Sequence, residues 1–339
     1  MLSRVSNIVH PSEVVLNTPL LVPSFSSKGF RFRKNKGKIF SEALDFINPT
    51  AHALKEIALI SAYDLKYQHM KPPSSNYPYY PDLLIIDSGG FETLEGGDFS
   101  DVYQFPVKHK KWTKELYIEE LNKWNRVRYP VIIVSYDNGS DRRRSLFKQI
   151  DDARELFAKF PDCLHTFLIK GTKKNEFLNV EEILANIERL TGFSIIGLTE
   201  KELGESILIR MNNIARIRTA LDNANIKAPI HIFGSLDPLT SVLYFISGAE
   251  IFDGLTWLRY SYYNGLAIYG HNRYAVDSRI SEKDDLLRAL YFIDNLVYLR
   301  RLQLEMKSYV NHSEDTSMFT LNSDVIKIAK EHLTVSLNS

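Results

Sequence analysis

The sequence predicts an α/β fold. Three observations predict it: eight short apolar, β-branched runs of strand length, amphipathic segments between most of them, and no G-x-G-x-x-G fingerprint after the first run. Alternating strands and helices imply a parallel sheet with right-handed crossovers, and eight repeats imply closure into a (β/α)8 TIM barrel. An open doubly wound sheet is the alternative, and the missing fingerprint weighs against it.

The eight runs are Leu20–Phe25, Ile57–Ala62, Leu83–Ile86, Val131–Ser135, Leu164–Ile169, Phe193–Ile196, Ile230–Phe233 and Glu250–Phe252. A helix is expected over Ser41–Glu56, and the proline-rich Lys71–Pro81 reads as a loop. Leu116, Ile118, Leu121 and Trp124 mark one amphipathic helix, and Ile183, Ile187 and Leu190 another. Asp237 is placed to cap a third, with Pro238 in its first turn and Gly248 where a left-handed stop is expected. A loop rich in Tyr and Gly follows Phe252, and then a long helical pattern from about Ser281 to Ser308. Residues 1–312 therefore read as one barrel domain, and 313–339 as a short helical tail, loosely attached.

Composition narrows the function. With 339 residues, 44% hydrophobic, 24% charged and a net charge of +1, the chain can bury a large core and is no polycation. The single cysteine, Cys163, makes no internal disulfide and matches no zinc spacing, so neither metal nor cofactor is expected. No apolar run is long enough to span a membrane, and Arg4, His10, Glu13 and two prolines break up the N-terminus. A cytoplasmic protein without a membrane partner is the expectation.

In barrel enzymes the site lies at the carboxyl ends of the strands. Here those ends read Asp87-Ser88-Gly89-Gly90-Phe91, Tyr136-Asp137-Asn138-Gly139, Lys170-Gly171, Gly197, Gly234-Ser235 and Asp253-Gly254. Three carboxylates on one face suit a reaction in which one acid attacks carbon, one moves protons and one reads a hydrogen-bonding substrate. The glycines at 89, 90, 197 and 234 let backbone N–H groups approach a flat ligand. Taken singly, each aspartate also reads as a turn former or helix cap.

These residues carry a resemblance. IIDSGGFE at Ile85–Glu92 resembles the DSGG-aromatic-Gln motif of the tRNA-guanine transglycosylases, which exchange guanine for a 7-deazaguanine base. VSYDNG at Val134–Gly139 is similar to their base-reading segment, and IIGLTEKELGES at Ile195–Ser206 to their IGGLAVGE stretch. HIFGSLDPLTSVLYFISGAEIFDGLTWLRYSYYNG at His231–Gly265 parallels their LMGVG, helix, GxDxFDC, TR and NG sequence in order. LNTPLLVPSF at Leu16–Phe25 resembles their first strand, so the likeness covers roughly Thr18 to Asn272.

The resemblance implies a double displacement at a ribosyl C1′, with Asp253 as nucleophile and Asp87 as general acid/base. It implies that Asp137 accepts hydrogen bonds from the purine, flanked by Ser88, Gly89, the Gly197 backbone and Gly234, while Phe91 stacks on the heterocycle. Arg259, six residues after Asp253, with Tyr260, Tyr262 and Tyr263, is expected to hold the nucleic-acid backbone. The partners implied are tRNA or DNA, a 7-deazaguanine base and a second copy of the chain in a homodimer. The basic runs Arg31–Lys38, Lys108–Trp112 and Arg142–Arg144 are further candidates for the nucleic-acid surface, though such runs read first as solvated faces.

Three departures stand out. Glu92 occupies the place of a glutamine, Lys170 replaces a base-contacting glutamine, and the family's structural zinc ligands beyond Gly265 are missing. Glu92 and Lys170 either alter the choice of base or pair with each other. His231 reads as a core or site-lining residue, His271 as a residue near the mouth, and the three tryptophans as packing residues. A noncatalytic nucleic-acid-binding subunit and a two-carboxylate glycoside hydrolase are the competing functions.

Overall fold

The computed structural model describes residues 2–30, 32–35, 38–43, 45, 54, 56–72, 81–93, 110–124, 129–137, 144–172 and 176–338. In chain order, β1 (Asn7–Val9) and β2 (Val15–Asn17) form a hairpin, β3 (Leu20–Phe25) enters the barrel, and β4 (Phe32–Asn35) with β5 (Lys38–Ser41) forms a second hairpin. The barrel continues through β6 (Ile57–Ser61), β7 (Leu83–Asp87), β8 (Val131–Val134), β9 (Leu164–Ile169), β10 (Ile195–Thr199), β11 (Ile230–Phe233) and β12 (Ile251–Gly254). β3 and β6 to β12 pair in parallel and close on themselves, so the chain is a TIM barrel. A third hairpin, β13 (Ser261–Tyr263) and β14 (Leu266–Ile268), turns on Asn264-Gly265, both at positive φ, as a two-residue loop between twisted strands requires.

Each of the eight runs became a barrel strand. Several boundaries moved by one to three residues, and three matter for the rim: β7 runs on to Asp87, β10 to Thr199 and β12 to Gly254, so Asp87, Gly197 and Asp253 lie inside strands rather than after them. Glycine and aspartate are poor strand formers in isolation. Inside a closed barrel, register and partners override that preference.

Side chains alternate along each strand, and one parity points into the barrel. Leu20, Val22, Ile57, Leu59, Leu83, Ile85, Ile132, Val134, Ile195 and Ile251 form the inner core. Ile8 and Leu16 of the β1–β2 hairpin join it, which plugs the amino end of the barrel. Arg4 on Asp222 (2.8 Å) and Thr18 on the buried Glu250 (3.2 Å) fasten that plug.

The crossover helices begin where the sequence supplies a capping oxygen. Thr113 caps α1 (Lys114–Lys123), Ser145 caps α2 (Leu146–Phe157), Asn179 caps α3 (Val180–Ala185), Ser206 caps α4 (Ile207–Asn223), and Asp237 caps α5 (Pro238–Ile246). Gly248, at φ +105, terminates α5 as expected. The predicted helix over Ser41–Glu56 and the loop over Lys71–Pro81 lie largely outside the described residues.

Downstream, α6 (Asp284–Asn311) packs against the barrel and its Gln303 accepts from the Leu21 N–H at 3.2 Å. α7 (Ser323–Asn338) is docked rather than loose: Ile326 and Leu333, two turns apart, are buried, and Asn212 of α4 donates to Ser336 at 2.8 Å. Among the described residues no helix is long and apolar enough to cross a membrane.

Candidate active site

The inward parity that puts aliphatic residues in the barrel ends, at its carboxyl rim, in polar ones. Ser24 on β3, Ser61 on β6, Asp87 on β7 and Asp253 on β12 continue the inward series of their strands. Asp253 is buried, and both its oxygens are held. Ser24 Oγ donates to Oδ2 at 2.7 Å, and His231 Nε2 on β11 lies 3.0 Å from Oδ1. Trp257, fully buried, donates to the Ser24 carbonyl at 3.1 Å and steadies that strand from behind.

Asp87 closes β7. Burial, reinforced by the nearby Asp253 and Asp137 carboxylates, pushes its pKa up to about 6, against hydrogen bonding from the Gly89 and Ser88 N–H groups. A carboxyl poised there both gives and takes a proton near neutral pH, as general acid/base work requires. The loop after it is braced by neighbours. Trp112 Nε1 donates to the Ser88 carbonyl at 2.8 Å, and Ser88 Oγ accepts from the Asp137 N–H at 3.2 Å. Gly89 has φ +85, and a Cβ there would stand 2.8 Å from both Trp112 Nε1 and Tyr63 Cβ. Gly89→Ala is expected to cost about 1–3 kcal/mol in stability, measured by thermal unfolding. A Cβ on Gly90 would likewise meet the Asp137 carboxylate at 3.0 Å.

Asp137 is brought to the same rim as Asp87 and Asp253. Lys170, expected to face a base, is already engaged: its ammonium lies 2.8 Å from Glu202, 2.8 Å from Thr199 and 3.6 Å from Asp137. Two of its donors are taken by Glu202 and Thr199, and the ammonium faces Asp137 as an ion pair rather than a hydrogen bond, so its charge is engaged within the protein. Beside them is a cavity of about 50 Å³ lined by Ser135, Tyr136, Asp137, Gln149, Phe167 and Lys170. It has room for a few water molecules.

Glu92 does not pair with Lys170. It is buried between two serines: Ser61 Oγ donates to Oε2 at 2.8 Å, and Ser26 Oγ bonds Oε1. Burial, with Asp64 and Asp87 nearby, pushes its pKa up to about 8. At neutral pH Glu92 is therefore a neutral acid that combines a donor with an acceptor, as a glutamine amide does. Its folded pKa lies above the unfolded 4.5, so its contribution to stability falls as pH rises from about 4.5 to about 8. Glu92→Gln is expected to gain stability over the parent progressively across that window, by unfolding at stepped pH, with unchanged activity at pH 7.

Other expectations change with burial. Gly197 sits mid-strand with the Phe233 ring 2.8 Å from where its Cβ would be, so Phe233 fills the space at its side and its backbone is not open to a ligand. Gly234, at φ +80, has open space around it. Tyr262 does not reach a nucleic acid: it is 4% exposed, and its hydroxyl donates to the Leu236 carbonyl. Asn295 of α6 holds the same segment, accepting from the Tyr262 N–H and donating to the Trp257 and Tyr260 carbonyls, all at 2.7 Å. Tyr260 packs on Tyr269, and Tyr263 lies under Arg273.

Phe91 is 41% exposed at the rim, with the Lys28 ammonium 4.9 Å from its ring centre and donating to its carbonyl at 2.7 Å. Burial pushes the Lys28 pKa down, and the neighbouring Arg259 charge adds to that. Lys28 and Arg259 thus bring positive charge to the mouth beside the exposed ring. Most of the runs Arg31–Lys38, Lys108–Trp112 and Arg142–Arg144 lies outside the residues whose side chains are described. Among the described residues no group of three or more His, Cys, Asp or Glu side chains is arranged to hold a metal ion.

The sequence missed Ser24, Ser61, Trp112 and Glu202 as site residues. Inward parity was an available signal for the two serines, whereas nothing local marks Glu202 as the partner of Lys170. No model of a known protein family matches the chain, and no curated protein matches it.

Proposed function

We propose that this barrel is a base-exchange transglycosylase that replaces guanine in a nucleic acid with a 7-deazaguanine base, as its resemblance to the tRNA-guanine transglycosylases implies. The observation that carries the reading is the rim itself. A carboxylate held on both oxygens at the end of β12 faces an acid poised near pH 6 at the end of β7, with Asp137 as a third acid beside them.

In the first half-reaction an Asp253 oxygen attacks C1′, the C1′–N9 bond of guanine breaks, and Asp87 gives its proton to the departing purine. The product is an ester between Asp253 and the sugar. In the second, N9 of the incoming base attacks C1′, its proton passes to Asp87, and the ester bond breaks to return Asp253 as carboxylate. Protons and charges balance over the cycle, and no cofactor enters it.

Asp137 accepts from the purine edge, and Phe91 offers an exposed ring for stacking. A base in a paired polymer must leave its stack to arrive there, and Lys28 and Arg259 supply charge for the flanking phosphates. Glu92 departs from the family's glutamine less than its letter suggests, because a neutral acid, like an amide, is uncharged and pairs a donor with an acceptor.

A glycoside hydrolase would use aromatic platforms for sugar. All three tryptophans are committed elsewhere: Trp257 to Ser24, Trp124 to the Tyr129 carbonyl and Trp112 to Ser88. The experiment is incubation with labelled guanine and either tRNA or DNA. Label is expected to enter one polymer, and entry into neither overturns the proposal.

A further inference from the structure

We propose that His231 is a positioning residue that holds the Asp253 carboxylate as a neutral imidazole donating through Nε2–H. The inference rests on the transglycosylase reading for its kinetic consequence and on geometry alone for the hydrogen bond. His231 shares the inward parity of Phe233 on β11, and in the ladder its Cα stands opposite Ile251, one step below Asp253 on β12. From there Nε2 rises to Asp253 Oδ1 at 3.0 Å.

The ring is fully buried, so it touches neither base nor polymer. Phe233 stacks on it at 3.9 Å and 27°, which fixes its plane. Nδ1 is buried and has no hydrogen-bond partner among the described residues. An imidazolium would leave an N–H there unsatisfied, at the full desolvation penalty of a charged donor. The arrangement therefore selects the tautomer with its proton on Nε2, directed at Asp253.

Asp253 is the hub, with Ser24 on one oxygen and His231 on the other. In a Ser–His–Asp relay the histidine stands in the middle and the serine attacks. Here the carboxylate stands in the middle, so the two neighbours orient it and it carries the chemistry. The titratable groups facing Asp253 are His231 on β11 and Asp87 on β7. With donors from both flanking strands, the carboxylate is fixed in plane before substrate arrives, which is how preorganised sites avoid reorganisation during reaction.

Four variants test this, using the polymer that accepts labelled guanine. His231→Leu is expected to lower kcat and the single-turnover rate of protein–polymer adduct formation about 10- to 100-fold, the range for a hydrogen bond to a charged group, with KM for base and polymer unchanged. His231→Gln places an amide N–H near the position of Nε2 and is expected to restore most of the rate. His231→Asn reaches only the Nδ1 position and is expected to stay impaired, and it serves if the leucine variant does not fold. Ser24→Ala should lower kcat in the same way. An unimpaired leucine variant, a glutamine variant no better than asparagine, or a loss confined to KM overturns the proposal. Nitrogen-15 NMR of the histidine ring decides the hydrogen bond independently of any exchange. Nε2 protonated with Nδ1 bare is expected, and the opposite tautomer overturns it. If the parent enzyme exchanges no base, the function has failed while the NMR result still judges the geometry.

Discussion

Asp253→Asn is expected to lower base exchange on the order of 10⁴-fold and to abolish any denaturation-resistant protein–nucleic acid adduct. The amide keeps the shape of the side chain and its place between Ser24 and His231, so the barrel should fold as before. What it removes is the anionic oxygen that the proposed reaction bonds to C1′. Polymer binding, which the proposal assigns to charge at the mouth such as Lys28 and Arg259, should persist and weaken with salt in the parent and the variant alike. The measurement is guanine incorporation together with a denaturing gel for the adduct. Exchange at the parent rate would show that the nucleophile lies elsewhere.

Asp87→Asn is expected to lower exchange about 10²- to 10⁴-fold, the range for a general acid or base, while raising stability. The sign follows from linkage. The folded pKa of about 6 lies above the unfolded 3.8, so the native state binds the proton more tightly than the unfolded chain between those values. Parent stability therefore falls as pH rises through that window, by about 3 kcal/mol once pH exceeds 6. Asparagine has no such proton. The variant should match the parent near pH 3 and exceed it in unfolding temperature above pH 6, and equal stability at pH 8 would show that Asp87 is not strained by its surroundings. Opposite signs for activity and stability mark a residue kept for chemistry.

Much of the fold was legible in the chain because its determinants are local. Apolar β-branched runs marked every barrel strand, and Asp237, Pro238 and Gly248 marked α5 at both ends. The acids at 87, 137 and 253 were legible as a group because strand-end position in an alternating α/β chain implies one shared face. Partnerships were not. Ser24 meets Asp253 across 229 residues of chain, and Glu92 meets Ser26 across 66, distances over which composition and spacing carry no register. Tyr262 shows the same limit. Its neighbours Arg259, Tyr260 and Tyr263 made it read as part of a surface cluster, yet the short β13–β14 hairpin turns it inward onto Leu236.

The sequence alone determined a (β/α)8 barrel, which of its ends carries polar residues, and which three carboxylates gather there. Strand periodicity and caps are short-range properties, and closure of eight parallel strands follows from their repetition. Only the tertiary structure decided what state those groups occupy. It put donors from both flanking strands on Asp253, carboxylates beside Asp87, two serines around Glu92 and two acids on Lys170. Burial and charge act through space on groups far apart in the chain, so protonation and availability for a ligand emerge only when the barrel closes.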